Sequence, residues 1–383
     1  MQAFVNGLYD LRLSGRVRGK LARLIAYETV LSLAWFFAGS FSLVFLIREG
    51  LSVQHASYFV AIEYAFTTIY LLIFNRFGFP RAEVSMAIGN LILAAHFACF
   101  LFLSGVLLVN VAPILLALYI PVFWIPFNII MIGLTNVKNR GFIISMTFVV
   151  FPVVYFVGPL AGGATIENLG YDAVFTTSLL LFVANSVLIL LTWRKDSERY
   201  APKIEWAELR KFPSIGFFFE GVQEGVFAIA IPLAAFFLVG EEFDLGMMLA
   251  LFGLAGGVMS VVAGKFSDKI GNRTMFINLA ALVCGPLVVL SAFLGEALLF
   301  GIAIGAIYFF LPLFWIFIFA LSIDRAASSG NAIMGREFML NTGRALGAFL
   351  CLVFTLLVSV QMTLVIAGVS LVLVPLLWSA RRT

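Results

Sequence analysis

The amino-acid sequence predicts an all-α protein embedded in a membrane, with twelve transmembrane helices. Of its 383 residues, 62% are hydrophobic and only 11% are charged, whereas a soluble domain has about 25% charged residues to face water. The apolar residues form continuous runs of roughly 20 residues, the length that a helix needs to cross the lipid hydrocarbon. Transmembrane β-strands alternate apolar and polar residues over about 10 positions, so these runs exclude a β-barrel.

Twelve such runs follow one another along the chain, and each is predicted to be one spanning helix. The turns after the third and the eleventh run are weakly marked, so those boundaries can shift by several residues. The runs cover residues 24–47, 54–74, 84–105, 109–134, 142–164, 171–193, 214–239, 244–264, 274–294, 297–322, 333–358 and 360–379.

One long polar stretch, residues 194–211, separates the first six runs from the last six. We therefore predict five parts, namely a cytoplasmic N-terminal segment, a six-helix bundle, a cytoplasmic linker, a second six-helix bundle and a cytoplasmic C-terminus. The N-terminal segment is basic and lacks the apolar core and cleavage site of a signal peptide, and it is expected to lie on the anionic leaflet. The parts are residues 1–23, 24–193, 194–213, 214–379 and 380–383.

The Lys and Arg residues predict the orientation, because cytoplasmic loops of membrane proteins are enriched in them. With both ends in the cytoplasm, the outer loops contain a single basic residue, Arg48, and Arg344 lies inside the eleventh run. The basic residues are distributed among loops and not along one face, so the net charge of +4 does not indicate nucleic-acid binding. We expect a multi-pass protein of the cytoplasmic membrane. The outer loops carry acids instead: Glu49, Glu167, Asp172, Glu241, Glu242, Asp244 and Glu296.

The two halves of the chain resemble each other at nearly one offset, which indicates an internal duplication. The bundles are therefore predicted to be pseudo-symmetric. The matching pairs are residues 121–125 (PVFWI) with 312–316 (PLFWI), Glu28 with Glu220, and residues 75–78 with 268–271.

The loop after the eighth run, residues 264–273 (GKFSDKIGNR), resembles the loop signature of the major facilitator superfamily. The resemblance rests on Gly264, Asp268, Gly271 and Arg273. It implies the superfamily's twelve-helix fold and a gate that opens when the two halves rock. The alternative is an ordinary charged turn between two helices.

The first-half copy of this loop follows the second run and departs from the pattern. Arg76 and Gly78 fit it, but Asn75 stands where the aspartate is expected and Pro80 interrupts the turn. The resemblance therefore implies that Asp268 serves alone in the gate.

A second resemblance lies at the outer end of the fifth run, where Gly158, Pro159, Gly162 and Gly163 match the end of the antiporter signature of the superfamily's exporters. The upstream glycine is replaced by Val154. The motif implies export by antiport. Uptake, or a role in helix packing alone, is the alternative.

Four acids inside the runs are candidates for a functional role, because charge is costly in lipid and usually functional there. In the superfamily fold, helices one, two, seven and eleven border the central cavity, and a carboxyl group there can take and release protons. We expect Glu224 to be the first candidate for proton coupling, then Glu63, then Glu220. A structural ion pair is the alternative for the deep acids. Glu28 lies one turn inside its run, so it can instead reach the cytoplasmic surface or pair with Arg23.

Arg344, near the middle of the eleventh run, has two possible roles. It can pair with Glu220 or Glu224, or it can hold an anionic substrate with its planar guanidinium group. Arg336 and Glu337 are expected to pair at the cytoplasmic mouth of the same helix.

The remaining cavity candidates are two tryptophans, two asparagines and one histidine. Trp124 and Trp315 occupy matching positions in the fourth and tenth runs. They are expected either to form an aromatic platform for the substrate or to be packing residues. Asn128 and Asn341 are expected to donate hydrogen bonds in the cavity. His96 can relay protons or be a buried packing residue.

The sequence carries no motif for catalysis, a metal or another cofactor. Cys99, Cys284 and Cys351 lie in apolar runs without metal-ligand spacing, and His55 and His96 are far apart. We expect a monomeric, proton-coupled secondary transporter that exports a small organic solute by alternating access, with protons, the solute and membrane lipids as partners. Nutrient uptake and lipid flipping on the same fold are the alternatives. An enzyme or lipid-handling scaffold would show no substrate-dependent proton flux.

Overall fold

The computed structural model describes residues 15–134, 151–192, 201–211, 214–267, 273–325 and 329–380, and these are almost entirely helical. Ten helices are long and apolar enough to cross a membrane by themselves, and α5 and α12 complete twelve. The helices are α1 (Gly15–Ala38 and Ser42–Arg48, joined by a 3-10 turn at Gly39–Phe41), α2 (Val53–Phe77), α3 (Ala82–Phe102), α4 (Gly105–Gly133), α5 (Phe151–Leu169), α6 (Tyr171–Thr192), α7 (Ser214–Val239), α8 (Glu242–Ser267), α9 (Arg273–Ser291), α10 (Ala297–Arg325), α11 (Ser329–Phe354) and α12 (Leu364–Ala380).

The first helix begins earlier than the sequence predicts. α1 starts at Gly15 and not at residue 24, and Leu21 is fully buried. Residues 15–23 are therefore the first turns of α1, which pack through Leu21, and the limits of the predicted cytoplasmic segment stay a prediction. Residues 142–150 of the fifth run lie outside the described ranges.

The helices pair in the same pattern in both halves of the chain. In the first half, α1 packs on α5 and α6, α3 packs on α4 and α6, and α2 packs on α4. Adding six to each number gives the pairs of the second half, where α7 packs on α11 and α12, α9 on α10 and α12, and α8 on α10. The two halves meet mainly through α2 with α11 and α5 with α8. This is the pseudo-symmetric pair of bundles that the internal duplication predicts, while the residue limits of the domains stay predictions.

Glycines bring α7 and α11 into backbone contact. A Cβ on Gly221 or Gly225 of α7 would overlap a backbone oxygen of α11, and a Cβ on Gly343 or Gly347 of α11 would overlap one of α7. Both helices thus carry the small-x-x-x-small spacing that allows close crossing in membranes. This spacing is visible in the sequence and is the signal that marks the crossing. Because Glu224 and Arg344 adjoin these glycines, the close crossing brings the two side chains together.

The antiporter-like motif of α5 packs against two neighbouring helices, α1 and α8. Gly158 and Gly162 lie against α1, where an added Cβ would overlap it. Gly163 and Pro159 face α8 in the other half of the chain, and a Cβ on Gly246 of α8 would be 2.5 Å from the carbonyl oxygen of Pro159. The motif therefore forms part of a tight contact between the two bundles. This contact agrees with the packing alternative and leaves the direction of transport open.

Candidate functional site

Two ends of the helix bundle frame the site. We call the end with residues 77–82 and 201–211 the linker face, and the end with residues 49–52, 103–104 and 240–241 the distal face. Helices with odd numbers run from the linker face to the distal face, and even-numbered helices return.

A cavity of about 450 Å³ lies between the two halves. It reaches toward the linker face, since Met131 near the end of α4, Ser260 in the last turns of α8 and Arg336 near the start of α11 all line it. Its size suits a small organic molecule. Its polar and aromatic lining residues include Glu28, Ser32, Trp35, Phe36, Glu63, Tyr64, Tyr119, Trp124, Phe127, Asn128, Tyr155, Trp315, Phe319, Arg336, Glu337 and Arg344.

Two of the predicted acids line this cavity without a partner. Glu28 of α1 is 5% exposed and Glu63 of α2 is 8% exposed, and both border the cavity. Among the described residues, neither carboxyl group forms a hydrogen bond or an ion pair, and Oε2 of Glu28 is fully buried without a partner. An unpaired charge in such a place is costly, so either group would be satisfied by a proton or by a cation.

The other two acids lie outside the cavity lining. Glu224 of α7 accepts from Arg344 of α11, whose Nε is 2.7 Å and Nη2 is 2.5 Å from the same carboxylate oxygen. Glu220, one turn earlier, is 1% exposed and its Oε2 has no hydrogen-bond partner among the described residues. The first-ranked proton carrier is thus held in an ion pair, one of the two alternatives for the deep acids. The arginine, which also lies 5.4 Å from the ring centre of Tyr64, is already bound.

A chain of polar contacts runs along α11 toward this ion pair. Arg336 lies 2.5 Å from Glu337, as the sequence predicts for the mouth of the helix. Asn341 Nδ2 donates to Glu337 Oε2 at 3.3 Å, and Asn341 Oδ1 accepts from Arg344 Nη1 at 3.1 Å. Both lining arginines therefore have a carboxylate partner. Asn341 is fully buried and is not among the residues that line the cavity, but it holds the lining arginine in place.

The two predicted tryptophans line the cavity, but the predicted histidine does not. Trp124, Trp315 and Asn128 all line the cavity, and the indole nitrogen of Trp315 has no hydrogen-bond partner in the described parts of the chain. His96 lies outside the lining, fully buried, with Nδ1 2.9 Å from the carbonyl oxygen of Ala112. It packs among aromatic rings, so its assignment to the cavity is wrong and the packing alternative describes its surroundings.

The gate loop is described only at its edges. Asp268 and Gly271 lie outside the described residues, as does the side-chain environment of residues 264–267, while Arg273 begins α9. In the first-half copy, Gly78 ends α2 with a φ of 76°, which glycine adopts without strain. Arg76 lies over the ring of Phe77.

Asn75, the departure from the loop pattern, fastens the linker to α2. Its Oδ1 accepts from the backbone N–H of Ile204 at 2.8 Å, and its carbonyl oxygen accepts from Nζ of Lys203. On the other side, Asn331 of α11 accepts from the backbone N–H of Lys203 at 2.8 Å and donates to Glu205 at 2.5 Å. Residues 203–205, the linker strap, thus bridge the two halves at the linker face. Sequence reasoning did not find this contact.

The distal face is tied across the halves by another cluster, which we call the distal clamp. Arg48 at the end of α1 binds Glu242 at the start of α8, with Nε at 2.7 Å and Nη2 at 3.1 Å from its two oxygens. Arg48 also donates to the carbonyl oxygen of Gly240, and Tyr171 donates to Glu242 at 2.9 Å. The sequence marked Arg48 and Glu242 as outer-loop charges but not as partners.

Comparisons with known proteins agree with this architecture. Residues 24–347 match the sequence model of the Major Facilitator Superfamily. The chain is 26% identical over 280 residues to the uncharacterized protein YqgE of Bacillus subtilis (strain 168), an alignment that covers 64% of this chain and 62% of that protein, less than two thirds of its length.

Two solved structures share the fold. The human organic anion transporter MFSD10 (TETRAN) superposes with a TM-score of 0.68 at 11% identity, covering 93% of this chain and 98% of that one. A POT family transporter in complex with a thioalcohol-conjugated peptide superposes with a TM-score of 0.74 at 10% identity, covering 95% and 96%. At these identities the likeness shows the fold alone, and it confirms the predicted fold class.

The family match spans residues 24–347, from α1 into α11, and so includes the residues that line the central cavity. The chain belongs to the Major Facilitator Superfamily, and it is a multi-pass membrane protein.

Proposed function

We propose that this transporter moves a small organic solute through the central cavity by alternating access, coupled to protons that Glu63 and Glu28 exchange. The observation that carries the proposal is the pair of buried, unpartnered carboxyl groups on the cavity lining. A group that is costly to leave charged and alone is satisfied by protonation. Loading and unloading of that proton would then bias which face of the protein is open.

The ion pair between Glu224 and Arg344 changes the order in which we rank the acids as proton carriers. Glu224 is held by Arg344 through two N–H groups, so it serves as a structural partner in this conformation. Glu63 takes the first place because it lies near the middle of its helix and borders the cavity. Glu28 takes the second place, and Glu220, buried outside the lining, takes the third.

The cavity and the distal clamp support assigning this conformation to the stage of the transport cycle that is open at the linker face and closed at the distal face. The cavity reaches toward the linker face, while Arg48 and Glu242 tie the halves at the distal face. The basic residues of the loops favour a cytoplasmic linker face with both chain ends inside the cytoplasmic membrane. We therefore interpret this conformation as directed toward the cytoplasm, with the linker strap crossing its entrance and the gate at Asp268 acting in the opposite half of the cycle.

Export by antiport is the favoured direction, on the resemblance of residues 158–163 to the exporters' motif. Nutrient uptake remains the alternative. The organic anion and peptide named for the two structural neighbours do not transfer to this chain at such low identity. A monomer is the proposed form, because one chain contains the whole cavity.

Solute-dependent proton flux in proteoliposomes tests the function. The vesicles contain a pH-sensitive dye and receive, one at a time, small organic cations, anions, neutral solutes and lipids. We expect at least one small solute to move protons, and Glu63→Gln to reduce that flux at least tenfold. Glu296→Gln, which removes an exposed acid at the distal face, is the matched control and should keep full flux.

The proposal would be overturned if none of the small solutes in the panel moves protons, or if only lipids do. Full flux in the Glu63→Gln protein would remove this residue from the mechanism.

A further inference from the structure

Among the residues that the structure describes, the charges that line the cavity do not balance, and the excess is negative. Arg344 is bound to Glu224, and Arg336 is bound to Glu337. These two pairs leave Glu28 and Glu63 without a hydrogen-bonded cation among the described residues, and Arg344, which is close enough to attract Glu63, is already shared with Glu224. An anionic substrate would have to displace a carboxylate from an arginine, and a neutral one would leave protons as the only partners of the two acids.

Aromatic side chains surround the two acids. Tyr64 follows Glu63 directly on α2, and Trp35 lies two turns after Glu28 on α1, both on the cavity lining. Tyr119 and Tyr155 are close enough to Glu28 to interact with it electrostatically. Aromatic faces attract cations through their negative quadrupole, and the attraction is stronger when water is excluded.

We infer that the substrate is a monovalent organic cation with a flat aromatic body, its charge attracted by Glu28 and Glu63 and its body held by Trp35 and Trp124. The inference rests on the proposed transport function and assigns the chemical class of its solute. The carboxyl groups supply the electrostatic attraction that an apolar cavity otherwise lacks. The volume of about 450 Å³ lies in the range of small-molecule sites, which suits two or three fused or linked rings.

Three matched probes of similar size separate the charge classes. These are 1-methyl-4-phenylpyridinium, which is a permanent cation, 4-phenylpyridine, which is neutral at pH 8, and biphenyl-4-carboxylate, which is an anion. Binding to the purified full-length protein is measured by calorimetry at pH 8. We expect the cation to bind at least tenfold more tightly than the neutral probe, and the anion not to bind.

Variants connect the binding to the two acids. Glu63→Gln and Glu28→Gln should each weaken cation binding at least tenfold and leave binding of the neutral probe unchanged, because the shape of the cavity is kept. Glu296→Gln should leave all three probes unchanged. Glu63→Asp, which keeps the charge, should retain more of the cation affinity than Glu63→Gln, and this comparison remains informative if one glutamine variant folds poorly.

Equal binding of the cation and the neutral probe, tighter binding of the anion, or no binding of this cation or of ethidium up to millimolar concentration would overturn the substrate class. The proposed function would stand in those cases if another solute drives proton flux in proteoliposomes. Loss of proton flux with every solute, together with tight cation binding, would instead contradict transport and keep the binding site.

Discussion

Arg344 of α11 and Glu224 of α7 are joined by two N–H groups on one carboxylate oxygen, at 2.7 Å for Nε and 2.5 Å for Nη2. The glycines on both helices make this possible, since a Cβ on Gly225 would overlap the carbonyl oxygen of Arg344. Among the described helices, only α7 and α11 have glycines four residues apart on both sides of their contact, and the pair joins these two helices. It is a fixed feature of the second bundle rather than a free charge in the cavity.

Removing either partner of this pair should destabilise the protein. Both side chains are about one fifth exposed. Glu224→Gln is therefore expected to lower the free energy of unfolding by about 2 kcal/mol, which is less than the loss of a fully buried pair would cost. A double-mutant cycle with Arg344→Gln should give a coupling energy of about 1–2 kcal/mol. Reversible unfolding in mixed micelles measures it.

The control for this cycle is the exposed pair of Lys211 and Glu208 in the linker. Glu208→Gln should leave stability unchanged within error, because exposed ion pairs contribute little. Additive effects of the Glu224 and Arg344 substitutions would contradict a direct interaction.

The crossing of α7 and α11 predicts a second effect on stability. A Cβ on Gly343 would overlap the backbone oxygen of Phe218, so Gly343→Ala must separate the helices and is expected to cost about 1–3 kcal/mol. The same change at Gly133 of α4 meets nothing within 4 Å and should be neutral or slightly stabilising. The same unfolding assay compares the two variants. Equal stability of the two alanine variants would show that the close approach is not needed.

The transmembrane segments were predictable because lipid imposes a strong constraint. Every backbone polar group must be paired inside the hydrocarbon, so long apolar runs have few alternatives to helices. Depth within a run also located Glu63, Trp124 and Trp315, which all border the cavity. α1 starts before the predicted run because basic residues at a helix end can extend past packed apolar neighbours such as Leu21.

Rotation about the helix axis was not predictable. A helix that is apolar on all sides has no preferred face in its sequence, so depth alone suggested that Glu224 and His96 line the cavity. The structure turns Glu224 toward Arg344 and His96 toward Ala112. The linker strap was also hidden, since its hydrogen bonds join an irregular segment to Asn75 through backbone groups.

The linker strap predicts a local change in hydrogen exchange. Asn75→Leu removes the acceptor for the backbone N–H of Ile204, so this amide should exchange at least tenfold faster, and the amide of Lys203, which donates to Asn331, should change less. Asn75→Asp keeps the acceptor and places a charge near Nζ of Lys203, so protection should be kept or increased. Mass spectrometry of deuterated peptides gives the measurement. Unchanged exchange in the leucine variant would mean that the strap is held by other contacts.

The distal clamp predicts a shift in the conformational equilibrium. Arg48→Met removes the contact between Arg48 of the first half and Glu242 of the second, which holds the distal face closed. Because the arginine side chain is 44% exposed, the contact is worth about 1 kcal/mol, and molecules with an open distal face should become about fivefold more frequent. Pulsed electron paramagnetic resonance between spin labels at Glu167→Cys and Glu296→Cys, in lipid nanodiscs, detects the longer distance.

Arg81→Met is the matched control for this measurement, since it removes an exposed arginine at the linker face and should leave the distal distance unchanged. Tyr171→Phe removes one hydrogen bond to Glu242 and should have a smaller effect than the loss of Arg48. If Arg48→Met and Arg81→Met give the same distance distribution, the clamp does not hold the distal face. Closure would then rest on the glycine contacts between α5 and α8, where Gly163 and Gly246 allow the helices to meet.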